Sequence, residues 1–169
     1  GSQQDLALAA PAFLRSWDWA GRWAMVVLRP GELPATAEAA AYLDAALAFE
    51  RVATPDAAQH AWQAAATAWP AQALPHLALG NLAYRARDLE RAAVHYRAGL
   101  AHNAGDPALA NNLASVLGEL GCPRRAEALL RPLAKTLADD SRWKSAISAT
   151  LNELAARPGT DLLSCESGP

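Results

Sequence analysis

The chain lacks most of what marks a membrane, nucleic-acid or catalytic protein. No apolar run approaches the roughly 20 residues of a membrane-spanning helix, and the opening residues form neither a charged n-region nor an apolar h-region. Neither sign of charge is in excess: 15 basic and 17 acidic residues leave a formal net charge of −2. With no basic field to neutralise phosphates, nucleic acid is not an expected partner. Cysteine is nearly absent. Cys122 and Cys165 lie far apart without CxxC spacing, which argues against a zinc site or a redox pair and leaves the compartment undecided. No metal and no cofactor is expected.

What the chain does have is alanine, which makes up much of its 52% hydrophobic share and favours helices in close contact. The length of 169 residues suits one soluble domain with a real core. Gly1 and Ser2 read as the scar of a removed tag.

A repeat is written through the alanines. Ala58, Ala92 and Ala126 are each 34 residues from the next, and the same offset links Trp62, Tyr96 and Leu130, then Ala46, Gly80 and Ala114. Small residues meet small ones, and large apolar residues meet large ones. This period, with Leu79, Gly80, Ala92 and Tyr96 in the second unit and Pro70 closing the first, resembles the tetratricopeptide (TPR) repeat. The resemblance implies an all-α superhelix of helix-turn-helix units. Repeats are expected at 39–72, 73–106 and 107–140, with a capping helix at 141–156, so that the TPR domain spans 35–157.

Helix punctuation agrees with that frame. Thr54-Pro55-Asp56 and Asp106-Pro107 are N-cap and Pro-at-N1 signatures, and Asp88 can cap a further helix. The expected helices are 37–51, 55–69, 74–87, 89–102, 107–120, 123–137 and 141–156, followed by a mobile tail over 158–169. Pro132 falls inside one of them, where it removes a backbone donor and predicts a kink. The capping helix is then expected to dock at an unusual angle.

In the TPR family the first helix of each repeat lines a concave, partner-binding face. Carried onto this chain, the frame places Leu43, Leu47, Glu50 and Arg51 there from repeat one, and Leu77, Asn81, Tyr84 and Arg85 from repeat two. Repeat three adds Asn111, Asn112 and Ser115, and the capping helix Arg142, Ser145 and Asn152. An asparagine amide both donates and accepts, so Asn81 and Asn112 suit the main chain of an extended peptide. Their spacing resembles the carboxylate clamp of chaperone-binding TPR domains. However, Leu77 and Ala146 stand where the clamp needs cations, which favours a more apolar peptide. The plain alternative is that both asparagines cap or bridge helices.

Catalytic readings are weaker. His95 and His102 lie seven residues apart on one helix without the i, i+4 histidine pair and glutamate of a zinc site, so His60, His76, His95 and His102 are assigned to surface or packing roles. Cys122 sits at a helix start, where the dipole can lower a thiol pKa, yet no histidine motif accompanies it. This chain is therefore not expected to be an enzyme.

Trp17, Trp19 and Trp23 crowd a short opening segment, 3–34, that contains the strand-like run Trp23 to Leu28. A lone strand cannot satisfy its backbone groups. The stretch "PAFLRSWDWAGRWAMVVLRPGELPATAEAAAYLDAA" resembles the junction at which a bacterial papain-like cysteine peptidase domain, of the bacteriocin-processing type, runs into TPR repeats. That resemblance implies a hinge at Pro30, Gly31 and Pro34, and an accessory role beside an upstream peptidase in the bacterial envelope or periplasm; without it, the cytoplasm is the default. The alternatives are a strand that pairs with its counterpart in a homodimer, or an N-terminal segment that folds into the groove of a scaffold.

Overall fold

In a computed structural model the described residues are 29–33, 37–157 and 165. The expected helix-strand segment, and with it the tryptophan cluster, lies outside them. The described residues form seven α-helices and no strand: α1 (Ala39–Glu50), α2 (Pro55–Ala68), α3 (Ala73–Arg85), α4 (Leu89–His102), α5 (Pro107–Glu119), α6 (Pro123–Thr136) and α7 (Arg142–Ala155).

Local chemistry sets the helix starts. Side chains of Thr54, Asp88, Asp106 and Ser141 accept hydrogen bonds from backbone N–H groups of the turns they precede. Pro55, Pro107 and Pro123 open their helices at N1, where a missing N–H costs nothing. The ends of α3 and α5 are built alike. Arg87 N–H donates to Tyr84 O and Asp88 N–H to Ala83 O; one repeat later Gly121 donates to Gly118 and Cys122 to Leu117. These are paired Schellman bonds around a left-handed residue, with φ of 62° at Arg87 and 79° at Gly121.

α1 with α2, α3 with α4 and α5 with α6 pack as hairpins, each hairpin stacks on the next, and α7 lies against both α5 and α6. The α3–α4 pair is the most intimate, for a reason visible in one position. Gly80 faces the Tyr96 ring so closely that a Cβ there would stand 2.2 Å from a ring carbon. Tyr96 itself is 1% exposed, and Ala92 is fully buried. One core cluster gathers Leu43, Trp62 and Leu79 around the first two hairpins. A larger one, with Leu109, Leu130, Ile147 and Leu154, runs from α3 to α7.

α6 continues through Pro132, whose side of the helix is exposed, so the ring meets solvent while Leu130 stays in the core. Lys144 on α7 donates to the carbonyls of Ala134 and Leu137 at 2.9 and 3.4 Å, which ties α7 to the C-terminal end of α6.

The structure corrects the reading of the cysteines. Cys122 and Cys165 form a disulfide across 43 residues, with Cα atoms 5.7 Å apart. Both are buried, and Arg125 donates to the Cys165 carbonyl. The pair was missed because the linkage depends on where the tail returns, which spacing alone does not reveal. Of the expected tail, 158–169, only Cys165 is among the described residues, and this bond holds it.

Candidate functional site

The groove positions can be traced helix by helix. Asn81 on α3 accepts through Oδ1 from the Tyr96 hydroxyl on α4 at 2.8 Å and from Asn112 Nδ2 on α5 at 3.1 Å. One oxygen thus joins three helices. Burial pushes the Tyr96 phenol up to about 12, against smaller downward pulls from Asn112 and Arg85. Asn81 Nδ2 and Asn112 Oδ1 have no partner among the described residues, and neither is an enclosed, unsatisfied atom. The two asparagines therefore do bridge helices, as the plain alternative held, and each keeps one open polar atom.

A second set of contacts repeats with the chain. Arg85 Nη2 donates to Glu50 Oε1 at 2.7 Å, linking α3 to α1 across 35 residues. Tyr84 donates to Glu119 Oε1 at 2.5 Å, linking α3 to α5 across the same interval. Glu119 also pairs with Arg87 at 3.1 Å. Donating to the Glu119 carboxylate holds the Tyr84 phenol above its ordinary range, with burial adding to the effect. The last link is Thr150 on α7, which donates to Asn111 Oδ1 at 2.9 Å. Ser115 turns back to the Asn111 carbonyl of its own helix.

Of the sequence-predicted residues, the structure thus connects Asn81 with Asn112, Tyr84 and Arg85 with carboxylates on neighbouring helices, and Asn111 with α7. It does not place Leu43 on a surface. That leucine is 7% exposed and belongs to the core with Trp62, because positions 43 and 46 share the stripe of α1 that faces α2. Leu77 is half-buried against the larger core. Leu47 is 41% exposed and remains available. Arg142 is exposed, with its guanidinium 5.1 Å from the Trp143 ring centroid, and no bond joins it to either asparagine.

Glu119 and Thr150 are the site residues that sequence reading missed. Glu119 stands where Arg85 and Arg51 stand one and two repeats earlier, and that reversal of charge was the available signal. Thr150 lies between Ile147 and Leu154 on the buried stripe of α7, where a polar residue needs a partner.

Leu47, Glu50 and Arg51 also line a cleft of about 660 Å³ with the α2 start and the C-terminal end of α3. The 29–33 segment lies elsewhere, beside His60, Gln63 and Thr67 of α2. Among the histidines, His76 contacts the Pro70 carbonyl through Nε2 at 3.0 Å and stacks on His102. Burial lowers the pKa of His95. The described residues contain no group of histidine, cysteine or carboxylate side chains arranged to hold a metal, and Cys122 carries no free thiol. No described helix is long and apolar enough to cross a membrane.

A helical-repeat module of TPR-like architecture is what this fold defines. Comparison agrees: a tetratricopeptide repeat family model matches residues 83–149. Among solved structures, the chain is similar to SycD, a type III secretion translocator chaperone of Yersinia enterocolitica solved as an alternative dimer. The TM-score is 0.62 at 16% identity, over 72% of this chain and 96% of that one. No curated protein matches the sequence.

Proposed function

We infer that the chain is a protein-binding TPR module that holds an extended partner segment across α1, α3 and α5. The observation that carries this reading is the Asn81–Asn112 pair. Their mutual bond and the Tyr96 hydroxyl fix both amides, so the open donor and acceptor are already oriented for a peptide main chain. A fold like that of a translocator chaperone is in keeping with a protein partner. The path of residues 29–33 along α2, away from these asparagines, favours an open face over one filled by that stretch.

The test is a peptide array probed with the chain and with an Asn81→Ala/Asn112→Ala variant of equal helicity. Binding lost in the variant is expected. Binding indifferent to both changes, or none at all, would leave the scaffold reading instead.

The finer reading is an accessory role beside a bacterial cysteine peptidase. It is supported by the resemblance of residues 11–46. The buried Cys122–Cys165 disulfide supports the associated location, because such bonds persist in oxidising compartments such as the bacterial envelope. Alkylation of free thiols in cells carrying the natural gene tests that location. A chain labelled at both cysteines without prior reduction would place it in a reducing compartment.

A further inference from the structure

The cleft between the C-terminal ends of α1 and α3 differs from its surroundings in shape and in charge. Its apolar wall is Leu47, Pro55, Ala58 and Leu82, and its polar rim carries Arg51 and Arg85 around Glu50. Glu50 is fully engaged, taking Arg85 on Oε1 at 2.7 Å and Trp62 Nε1 on Oε2 at 2.8 Å. The Arg51 guanidinium has no hydrogen bond or ion pair among the described residues. One carboxylate thus faces two guanidiniums, so the described lining of the cleft carries one positive charge in excess.

The repeat explains why this opening stands here. One period later, Glu50, Ala53, Pro55 and Ala86 are replaced by Tyr84, Arg87, Leu89 and Leu120. There Tyr84 and Arg87 both bond to Glu119, so larger side chains occupy the equivalent space and its carboxylate is matched. The first junction has small residues and a spare cation where the second has bulk and a closed network.

We propose that this cleft is a specificity subsite for an apolar side chain followed two residues later by a carboxylate. Leu47 and Arg51 are one helical turn apart, a rise of about 5.4 Å. In an extended segment, side chains at i and i+2 lie on one face, about 6.6 Å apart. A leucine of the partner then rests on Leu47 and Leu82 while its aspartate or glutamate meets Arg51, with Arg85 beside it. The carboxylate supplies the charge the cleft lacks, and the apolar wall leaves the vicinity of water. This deepens the groove reading and rests on it, since the asparagines hold the main chain without choosing its sequence.

The experiment is a fluorescence-anisotropy titration of the whole chain with three labelled peptides: tandem Leu-Ser-Glu-Ser units, the same with lysine for glutamate, and the same with serine for leucine. The glutamate peptide is expected to bind at least tenfold more tightly than either other, and to weaken as salt rises. Arg51→Glu should reverse the preference between glutamate and lysine, and Leu47→Ser should weaken the glutamate peptide severalfold. Both positions are exposed, so helicity is expected to be unchanged. Equal binding of the three peptides, binding indifferent to both substitutions, or no binding overturns the subsite. A peptide from the array that depends on Asn81 and Asn112 but not on Arg51 would remove the subsite and leave the groove reading intact.

Discussion

The Tyr96 hydroxyl donates to Asn81 Oδ1 at 2.8 Å, and the same oxygen accepts from Asn112, so a single amide carbonyl fastens the second helical hairpin to the third.

Tyr96→Phe removes one of those two bonds while leaving the ring in place. A loss of about 1 kcal/mol in denaturant unfolding is expected. The pH dependence has a definite sign. Below the ordinary tyrosine pKa both the folded and the unfolded chain keep the proton, and Tyr96 contributes nothing to the pH slope. Between 10 and about 12 only the unfolded chain gives it up, so stability falls as pH rises through that window. The wild-type chain should show this fall, and Tyr96→Phe should lessen it. An unchanged slope in the variant would assign it to other groups.

Gly80→Ala tests the close approach of α3 to α4. The added methyl meets the Tyr96 ring, and neither helix can withdraw without opening the α3–α4 interface. A destabilisation of about 2–3 kcal/mol is expected in urea, outweighing the better helix propensity of alanine. Combined with Tyr96→Leu, the cost should shrink, because the clash partner is gone.

The residues of these contacts were legible in the sequence, for a physical reason. A 34-residue period records which positions must be small and which large, and it marked Gly80 and Tyr96 as such positions without pairing them; the structure sets one against the other. Caps at Thr54, Asp88 and Asp106 were equally plain, since each acts within one turn of itself. The groove was less legible. Sequence spacing placed Asn81 and Asn112 together but could not say that they bond to each other, and it put Leu43 on a surface it does not reach. Cys122 and Cys165 were least legible, because nothing local ties residue 165 to the turn before α6.

Reduction of that disulfide, or Cys122→Ser with Cys165→Ser, should destabilise the chain by about 2–4 kcal/mol. Thermal unfolding with and without dithiothreitol measures it, and intact mass under non-reducing conditions should be two hydrogens lighter than after reduction. A melting temperature insensitive to reductant would mean that the bond constrains little.

Arg87 holds a left-handed backbone at φ 62°, where the next repeat uses Gly121. Arg87→Gly relieves roughly 1 kcal/mol of steric cost and gives up an ion pair with Glu119 that is worth less, since Arg87 is 69% exposed. Stability equal to or slightly above wild type is expected. Arg87→Val, in contrast, should cost more than 1 kcal/mol, because branching at Cβ crowds this conformation. A Gly variant clearly weaker than wild type would show that the bond to Glu119 dominates.

The disulfide also gives the stack a direction of wear. A linear array of repeats frays from its ends, where each unit has a single neighbour. Cys122 and Cys165 enclose α6 and α7 in a covalent loop, whereas among the described residues α1 buries only Leu43 and Ala46. Amide hydrogen exchange should therefore be slower in α6 and α7 than in α1, and reduction of the bond should narrow that difference.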